Sequence, residues 1–191
     1  MSKKGRLLLL IPLLAVIIAA IFNIVGAASE YEGWFQGYTD AFEDRDYYFG
    51  WKGYEGDGIR DKIEYSDELF HSKHLESTGK AVVAFSALAV IANASGAIFL
   101  ILGIIIPSKV SLRKLARAFS GLCLAIAAMC SFIAFIVFIC VFGSETTDDD
   151  DSIHALDRWW PSYAWFFTLF AFMFDLFANC CIGGFGLMDR E

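Results

Sequence analysis

Two histidines have the spacing that metal ligands on a helix would have. His71 and His74 lie three residues apart, so a helix would place both on one face, with Glu68 and Glu76 close by. A zinc site requires a further matched ligand, and no motif in the sequence supplies one. Motifs of serine hydrolases, zinc proteases and phosphate-binding loops are also lacking. We therefore predict a protein without enzymatic activity, cofactor or bound metal.

Four consecutive aspartates, Asp148 to Asp151, form the densest acidic run in the chain. A calcium site would require several carboxylates to converge on one ion at about 2.3–2.6 Å. Consecutive like charges repel each other and are usually solvated. We therefore interpret this run as a solvated turn.

Asp175 is the most informative polar residue, because it interrupts an apolar segment in which a carboxylate would cost at least ~2.5 kcal/mol in a membrane. At 100° per residue, Thr168 and Asn179 share its side of a helix. Asn93 lies near the middle of another apolar segment. We predict an intramembrane polar cluster of these four residues, with Asp175 and Asn93 in contact directly or through Ser131. Helix association is the interpretation we favour, and a proton or ion pathway is the alternative.

The opposite side of the same helix carries a stripe of phenylalanines. We expect this stripe to face lipid or a neighbouring subunit; it consists of Phe166, Phe170, Phe174 and Phe177. Cys180 and Cys181 follow near the end of the segment and are candidates for lipidation, although packing as small apolar residues is the commoner role. All five cysteines lie in apolar segments, and no Cys-x-x-Cys occurs, which argues against a thiol oxidoreductase.

Four long apolar segments must position these residues. The chain has 191 residues, of which 57% are hydrophobic, and each apolar segment reaches the roughly 20 residues that span a membrane core of about 30 Å. Isolated strands cannot satisfy their backbone in lipid, so we predict an all-α membrane protein, a bundle of four transmembrane helices. The predicted spans are residues 7–28, 79–106, 115–142 and 161–187. A signal peptide is the alternative for the first segment, but its apolar stretch exceeds the usual length.

The distribution of charge predicts the orientation of the spans. The N-terminus, 1–6, and the loop 107–114 are basic, so we place them with the C-terminus, 188–191, in the cytoplasm. Loops 29–78 and 143–160 are acidic and are expected to be extracellular. Trp159, Trp160, Tyr163 and Trp165 predict an aromatic belt where the second of these loops meets the membrane. The net charge of −7 argues against nucleic acid as a partner.

The first extracellular loop is long enough to fold by itself. The aromatic run from Tyr47 to Tyr54 and the alternating segment Ile59 to Tyr65 favour strands, and Gly56-Asp57-Gly58 favours a turn between them. We therefore predict a small β-hairpin or sheet. The loop is also rich in aromatic residues, which form a core over the membrane, a contact face for partners, or both. The predicted interaction surface consists of Trp34, Phe35, Phe49, Trp51 and Tyr54.

The order of these features resembles the claudin superfamily, which includes peripheral myelin protein, epithelial membrane proteins and stargazin-type receptor subunits. The resemblance covers the whole chain as topology, with local similarity at Trp34, at Gly50-Trp51 and at Pro161-Ser162-Tyr163. The paired cysteines of the family's first loop are absent, and Lys52-Gly53-Tyr54-Glu55 follows the second tryptophan instead. The resemblance implies a left-handed four-helix bundle capped by an extracellular sheet, and function by association.

We therefore expect a plasma-membrane protein that associates laterally with itself or mediates adhesion or membrane organisation. Its expected partners are membrane lipid and either further copies of the chain or a larger membrane protein, and we infer no small-molecule substrate. The alternative is an auxiliary subunit of a channel, transporter or receptor. A third interpretation, an ion or proton pathway through Asp175, predicts transport that Asp175→Asn abolishes.

Overall fold

Four long helices dominate the computed structural model, which describes residues 8–39, 45–56, 62–65, 73–105, 110–145 and 158–188. The helices are α1, Leu10–Ala28; α2, Lys73–Ile105; α3, Val110–Glu145; and α4, Tyr163–Met188. Each is long and apolar enough to cross a membrane, so the prediction of four helices of spanning length is confirmed. The protein is mostly helical, with a small antiparallel sheet at one end, called here the sheet end.

Two of the helices are longer than a membrane requires. α2 has 33 residues and α3 has 36, so each extends about 50 Å at 1.5 Å per residue. A hydrocarbon core is only about 30 Å thick. α2 begins at Lys73, before the predicted start of its span at residue 79, because a helix satisfies its own backbone hydrogen bonds in water as well as in lipid. Hydropathy therefore did not predict the polar residues of α2 that precede residue 79.

The helices form a closed ring in the order of the sequence. Each packs against its neighbours along the chain, and α1 also packs against α4, which closes the ring. The most extensive contact joins α2 and α3, which only residues 106–109 connect. As a result α1 and α3 lie diagonally opposite each other, and so do α2 and α4. Side chains that point inward from diagonal helices meet at the centre of the bundle.

The sheet has five strands in the order β4-β3-β2-β1-β5, and every neighbouring pair is antiparallel. The strands are β1, Phe35–Thr39; β2, Arg45–Phe49; β3, Gly53–Gly56; β4, Ile63–Glu64; and β5, Arg158–Pro161. The prediction of a small sheet is thus confirmed. β3 and β4 flank the predicted turn, of which Asp57 and Gly58 lie outside the described residues. The aromatic run is not one strand, because a turn with a hydrogen bond from the Gly50 amide to the Gly53 carbonyl (2.8 Å) divides it into β2 and β3.

The fifth strand comes from the second connecting loop. β5 pairs with β1, with Trp160 opposite Gln36 and Trp159 opposite Gly37. These tryptophans, which the sequence placed in an aromatic belt, are therefore strand residues. An exposed strand edge leaves backbone amides and carbonyls unpaired, and β5 satisfies those of β1. The pairing joins the two loops into one sheet.

The junction between α1 and the sheet satisfies the end of that helix. The last four carbonyls of a helix have no partner within it. Here the Ser29 hydroxyl donates to the Val25 carbonyl (2.9 Å), and the Glu30 amide donates to that of Ala28 (3.0 Å). The two carbonyls between these accept hydrogen bonds from tryptophan indoles. The Trp34 indole donates to the Gly26 carbonyl (3.0 Å), and the Trp51 indole donates to the Ala27 carbonyl (2.8 Å). All four terminal carbonyls of α1 are therefore hydrogen-bonded.

Two glycines allow the sheet to approach the helices closely. A Cβ on Gly79 of α2 would lie 1.8 Å from the Trp51 carbonyl oxygen, and one on Gly50 would lie 2.1 Å from that of Glu30. Any side chain at either position would collide with backbone. The turn between β2 and β3 is thus wedged between the end of α1 and the start of α2.

Candidate functional site

Each of the four helices buries polar side chains inside the bundle. Seven of these side chains have 0% exposure, and one of them, Ser120, donates to the Gly96 carbonyl (3.0 Å). We call the other six the polar core: Asn23, Ser86, Asn93, Ser131, Thr168 and Asp175. Asn23 lies on α1, Ser86 and Asn93 lie on α2, Ser131 lies on α3, and Thr168 and Asp175 lie on α4. Polar side chains in a membrane-spanning bundle are expensive to bury and are usually structural or functional. The polar core is therefore the candidate site.

One pair in the polar core joins α1 to α3. The Ser131 hydroxyl donates a hydrogen bond to the Asn23 side-chain oxygen at 3.1 Å. The Asn23 nitrogen, Nδ2, is buried and has no partner among the described residues. Sequence reasoning placed Ser131 between Asn93 and Asp175, but its partner is Asn23. Asn23 was overlooked, although an asparagine within an apolar block was the same signal that marked Asn93.

The second pair joins α2 to α4. The Asn93 side chain lies near the Asp175 carboxyl group. Their geometry is not that of a hydrogen bond, because all four polar atoms of the two side chains lack a partner. Both pairs thus join diagonally opposite helices. Ser131 and Asn23 are hydrogen-bonded to each other, whereas the four polar side-chain atoms of Asn93 and Asp175 have no hydrogen-bond partner among the described residues.

The polar core has two levels along the bundle. Ser86 precedes Asn93 by two helical turns on α2, and Thr168 precedes Asp175 by two turns on α4, about 10 Å in each case. Thr168 packs against α1, since a Cβ on Gly26 would lie 2.6 Å from its hydroxyl oxygen. Ser86 and Thr168 therefore lie nearer the sheet end, and Asn93 and Asp175 lie deeper in the bundle.

The four residues predicted as one cluster are not all in contact. Asn93 and Asp175 face each other. The Thr168 hydroxyl donates to the Ala164 carbonyl of its own helix (2.9 Å). Asn179 is half-buried one turn beyond Asp175, and its amide oxygen would lie 3.3 Å from a Cβ on Gly121 of α3. Of these four residues, only Asn93 and Asp175 therefore lie together with side-chain polar atoms that lack a hydrogen-bond partner in the described structure.

Apolar clusters lie on both sides of the polar core. The cluster at the sheet end includes Trp34, Phe35, Phe138 and Phe142, with the Phe35 and Phe142 rings stacked at 4.5 Å. The cluster at the opposite end comprises Ala15, Val16, Leu100, Leu124, Ala178 and Ile182. Both clusters consist of buried apolar side chains. Charge at Asp175 is consequently in apolar surroundings, where uncompensated charge is most costly.

The predicted interaction surface on the sheet is mostly interior. Trp34, Phe35, Phe49 and Tyr54 are at most 4% exposed, and Trp51 is half-buried. Of the alternatives weighed from sequence, the core over the bundle is the one that fits these side chains. The rings of Trp34 and Phe35 pack against Phe138 of α3, and the ring of Phe49 packs against Phe142.

The phenylalanine stripe on α4 is largely exposed. Phe166, Phe170 and Phe177 are 44%, 47% and 50% exposed. Phe174 is half-buried, and its ring lies 5.9 Å from that of Phe22 on α1. Cys180 is exposed and Cys181 half-buried, and all five cysteines are free. The stripe thus forms an aromatic face along α4 that continues onto α1.

A charged network covers the solvent side of the sheet near α1. The Tyr31 hydroxyl donates to a Glu64 carboxylate oxygen (2.9 Å), which also pairs with Lys52 (2.7 Å). This carboxylate and Tyr31 raise the pKa of Lys52 above its ordinary value. Lys62 pairs with Glu55 (3.4 Å) and lies over the Tyr31 ring. The network is exposed, so it contributes little to stability.

The remaining sequence candidates do not form a site in the described residues. His74 is exposed at the start of α2, and no group of three potential metal ligands occurs in the ranges that the structure describes. His71, Glu68 and the run Asp148 to Asp151 lie outside those ranges.

No protein-family model matches the chain, and no curated protein matches it significantly.

Proposed function

We propose that this is a non-enzymatic protein of claudin-like type that spans the plasma membrane four times and associates laterally with further copies of itself. The sheet and its charged network lie on the extracellular side, and both termini are cytoplasmic. Basic residues before α1 and between α2 and α3 support this orientation. In this arrangement the sheet takes part in adhesion or membrane organisation through its exposed charged surface, since Trp34, Phe35, Phe49 and Tyr54 are buried.

The exposed phenylalanine face of α4 is the observation that carries the proposal. Phe166, Phe170 and Phe177 are each about half exposed, and Phe22 stacks on Phe167 (4.9 Å) to extend the face onto α1. Lipid chains solvate Leu or Ile as well as Phe, so burial alone does not require aromatic residues there. Aromatic rings that meet across an interface contribute about 0.5–1.5 kcal/mol per pair beyond area burial. A second phenylalanine face can supply such contacts.

The rigid connection between sheet and bundle also supports association. The tryptophan bonds to the end of α1 and the pairing of β5 with β1 hold the sheet in one position on the helices. Copies that associate through α4 would therefore present their sheets in a regular array. Such an array suits adhesion or membrane organisation, because it repeats one surface many times.

Association of labelled protein in native-like membranes tests the proposal. Replacing Phe166 and Phe170 with Ala together should raise the dissociation constant about fivefold to a hundredfold, since two aromatic contacts contribute about 1–3 kcal/mol. Ile91 and Ile98 on α2 are 63% and 57% exposed, so Ile91→Ala with Ile98→Ala is the matched control. Single-molecule subunit counting measures the distribution of monomers and oligomers. A monomer in the wild type, or equal loss in both variants, would overturn the proposal.

A groove between α3 and α4 favours a second function, that of an auxiliary subunit. It has a volume of about 400 Å³ and is lined by Ala125, Ala128, Met129, Phe132, Phe172, Leu176 and Asn179. The alanines let a foreign helix approach closely, and the Asn179 amide offers it a hydrogen bond. In this role the groove accepts a helix of a larger channel, transporter or receptor.

The two functions differ in what remains bound after gentle extraction. Ala125→Leu fills the groove, so it should remove a larger subunit that copurifies at fixed ratio while self-association persists. The two phenylalanine substitutions should have the opposite effect. Mass spectrometry of the purified assembly distinguishes these results, and a groove variant that retains the larger subunit would exclude this second role.

A further inference from the structure

Asp175 has no compensating charge in the described structure. Its carboxyl group has 0% exposure, and neither oxygen accepts a hydrogen bond. Asn93, which faces it, is also fully buried, and its amide nitrogen and oxygen are equally unpaired. Burying one unpaired polar group costs about 2–7 kcal/mol, and an unpaired charge costs far more. An ionised Asp175 would therefore need a partner that neutralises the carboxylate, and the Asn93 amide would need a hydrogen-bond partner.

Basic side chains do not supply this compensation. Lys73 and Lys80 lie at the start of α2, at the sheet end. Gly121 of α3 lies beside Asn179 of α4. Ala125 and Asp175 each lie one helical turn nearer the sheet than these two residues, so Ala125 marks the depth of Asp175 on α3. Arg117 lies eight residues from Ala125, away from the sheet, which is about 12 Å along α3. No basic side chain of the described helices is among the groups that interact with the carboxyl.

Other titratable groups near this depth are few. The apolar stretches of α1 and α2 contain none, and Tyr163 lies at the start of α4. The remaining titratable groups in the apolar stretches of α3 and α4 are thiols, those of Cys123, Cys130, Cys140, Cys180 and Cys181. A neutral thiol does not compensate a carboxylate. The charge must therefore be balanced from outside the described side chains.

We propose that the Asp175–Asn93 pair binds one small monovalent cation, a proton or a dehydrated Na⁺, at the centre of the bundle. A proton on one carboxyl oxygen donates to the Asn93 carbonyl oxygen, while the Asn93 amide donates to the other carboxyl oxygen. This arrangement satisfies all four open atoms at once. Sodium is a hard cation, for which carboxylate and amide oxygens are suitable ligands. The site does not depend on lateral association, so it extends beyond the proposed function.

Thermal unfolding of the purified full-length chain tests this site. Melting temperatures are followed by tryptophan fluorescence in NaCl and in choline chloride at equal ionic strength. The series of pH values stays below about 9, where tyrosine side chains, including Tyr65, keep their protons in the folded and the unfolded chain. A sodium site predicts a melting temperature several degrees higher in NaCl at constant pH. A proton site predicts equal values in both salts and a loss of stability as the pH rises. Asp175→Asn should remove whichever response the wild type shows.

Two variants keep the result interpretable. Glu55→Gln removes a carboxylate from the sheet, where Glu55 pairs with Lys62, and should leave the response unchanged. The double variant Asn93→Asp with Asp175→Asn exchanges the two groups, so it retains one carboxylate and one amide and should retain the response. If Asp175→Asn alone does not fold, the response of this double variant to sodium and pH tests the proposal.

Infrared difference spectra distinguish the two cations further, because only the proton site shows the carbonyl band of a carboxylic acid that Asp175→Asn removes. The proposal is overturned if the wild type responds to neither sodium nor pH, or if Asp175→Asn keeps the full response. A folded exchange variant without any response would also overturn it.

Discussion

Trp34 and Trp51 donate their indole hydrogens to the adjacent carbonyls of Gly26 and Ala27 at the end of α1, although one precedes β1 and the other follows β2. Helix ends are commonly capped by residues next in sequence. Here the sheet itself provides two of the caps, so α1 cannot end correctly unless the sheet has formed. This relationship couples the folding of the sheet to that of the bundle.

Removing one of these caps should weaken that coupling. Trp51→Phe retains an aromatic ring but leaves the Ala27 carbonyl without its donor, so we expect the free energy of unfolding to fall by about 1–3 kcal/mol. Trp160→Phe is the control, because Trp160 is 42% exposed and its bond to Gln36 (3.3 Å) lies at the surface. Thermal unfolding in detergent measures both. Equal effects would mean that the indole bond to α1 has no special role.

The close approach of the sheet to α2 predicts a strong effect at Gly79. A Cβ there would lie 1.8 Å from the Trp51 carbonyl oxygen, so Gly79→Ala must displace the β2–β3 turn. We expect destabilisation of about 1–3 kcal/mol or more. Gly184 on α4 has no atom within 4 Å of an added Cβ, which makes Gly184→Ala the matched substitution. It should be neutral or slightly stabilising, since alanine favours helix.

The bond between Ser131 and Asn23 predicts an energetic coupling between α1 and α3. A double-mutant cycle with Ser131→Ala and Asn23→Ala should give about 0.6 kcal/mol, the average for hydrogen bonds between membrane helices. Ser120→Ala removes a different bond, to the Gly96 carbonyl (3.0 Å), and should be additive with Asn23→Ala. A cycle with zero coupling between Ser131 and Asn23 would contradict the observed contact.

Tyr65 predicts a loss of stability in alkali. The side chain is fully buried, its hydroxyl donates to the Gly50 carbonyl (3.0 Å), and burial raises its pKa above the ordinary value of 10.0. Since the unfolded chain loses this proton first, the contribution is present below about pH 10 and is lost as the pH rises through the folded pKa. Lys52, whose pKa is also raised, is exposed and contributes little.

The measurement is the pH dependence of unfolding between neutral and strongly alkaline conditions. Tyr65→Phe should lower stability at neutral pH by about 1 kcal/mol through the lost hydrogen bond and should flatten the alkaline decline. The exposed Tyr163→Phe is the control and should leave the decline unchanged. A wild-type decline that Tyr65→Phe does not alter would assign it to another group.

Much of the fold could be predicted from the sequence because the signals were local. Apolar segments of sufficient length predicted four helices, and the turn at Gly56 with its flanking residues predicted a sheet. Contacts between segments distant in sequence were harder to predict. Neither the pairing of Trp159 and Trp160 with β1 nor the partner of Ser131 has a local signal, since strand pairing and helix packing depend on segments that are adjacent only in space.

The sequence by itself determined which segments become helices and that Asp175 and Asn93 are polar residues within them, because hydropathy and residue type act at each position independently of the rest. Only the tertiary structure decided which groups face one another. Closure of the ring made α2 diagonal to α4, which brought Asn93 and Asp175 together and joined Ser131 to Asn23. Docking of the sheet on the helix ends likewise buried Trp34, Phe35, Phe49 and Tyr54, because the apolar face of a sheet must pack against another layer.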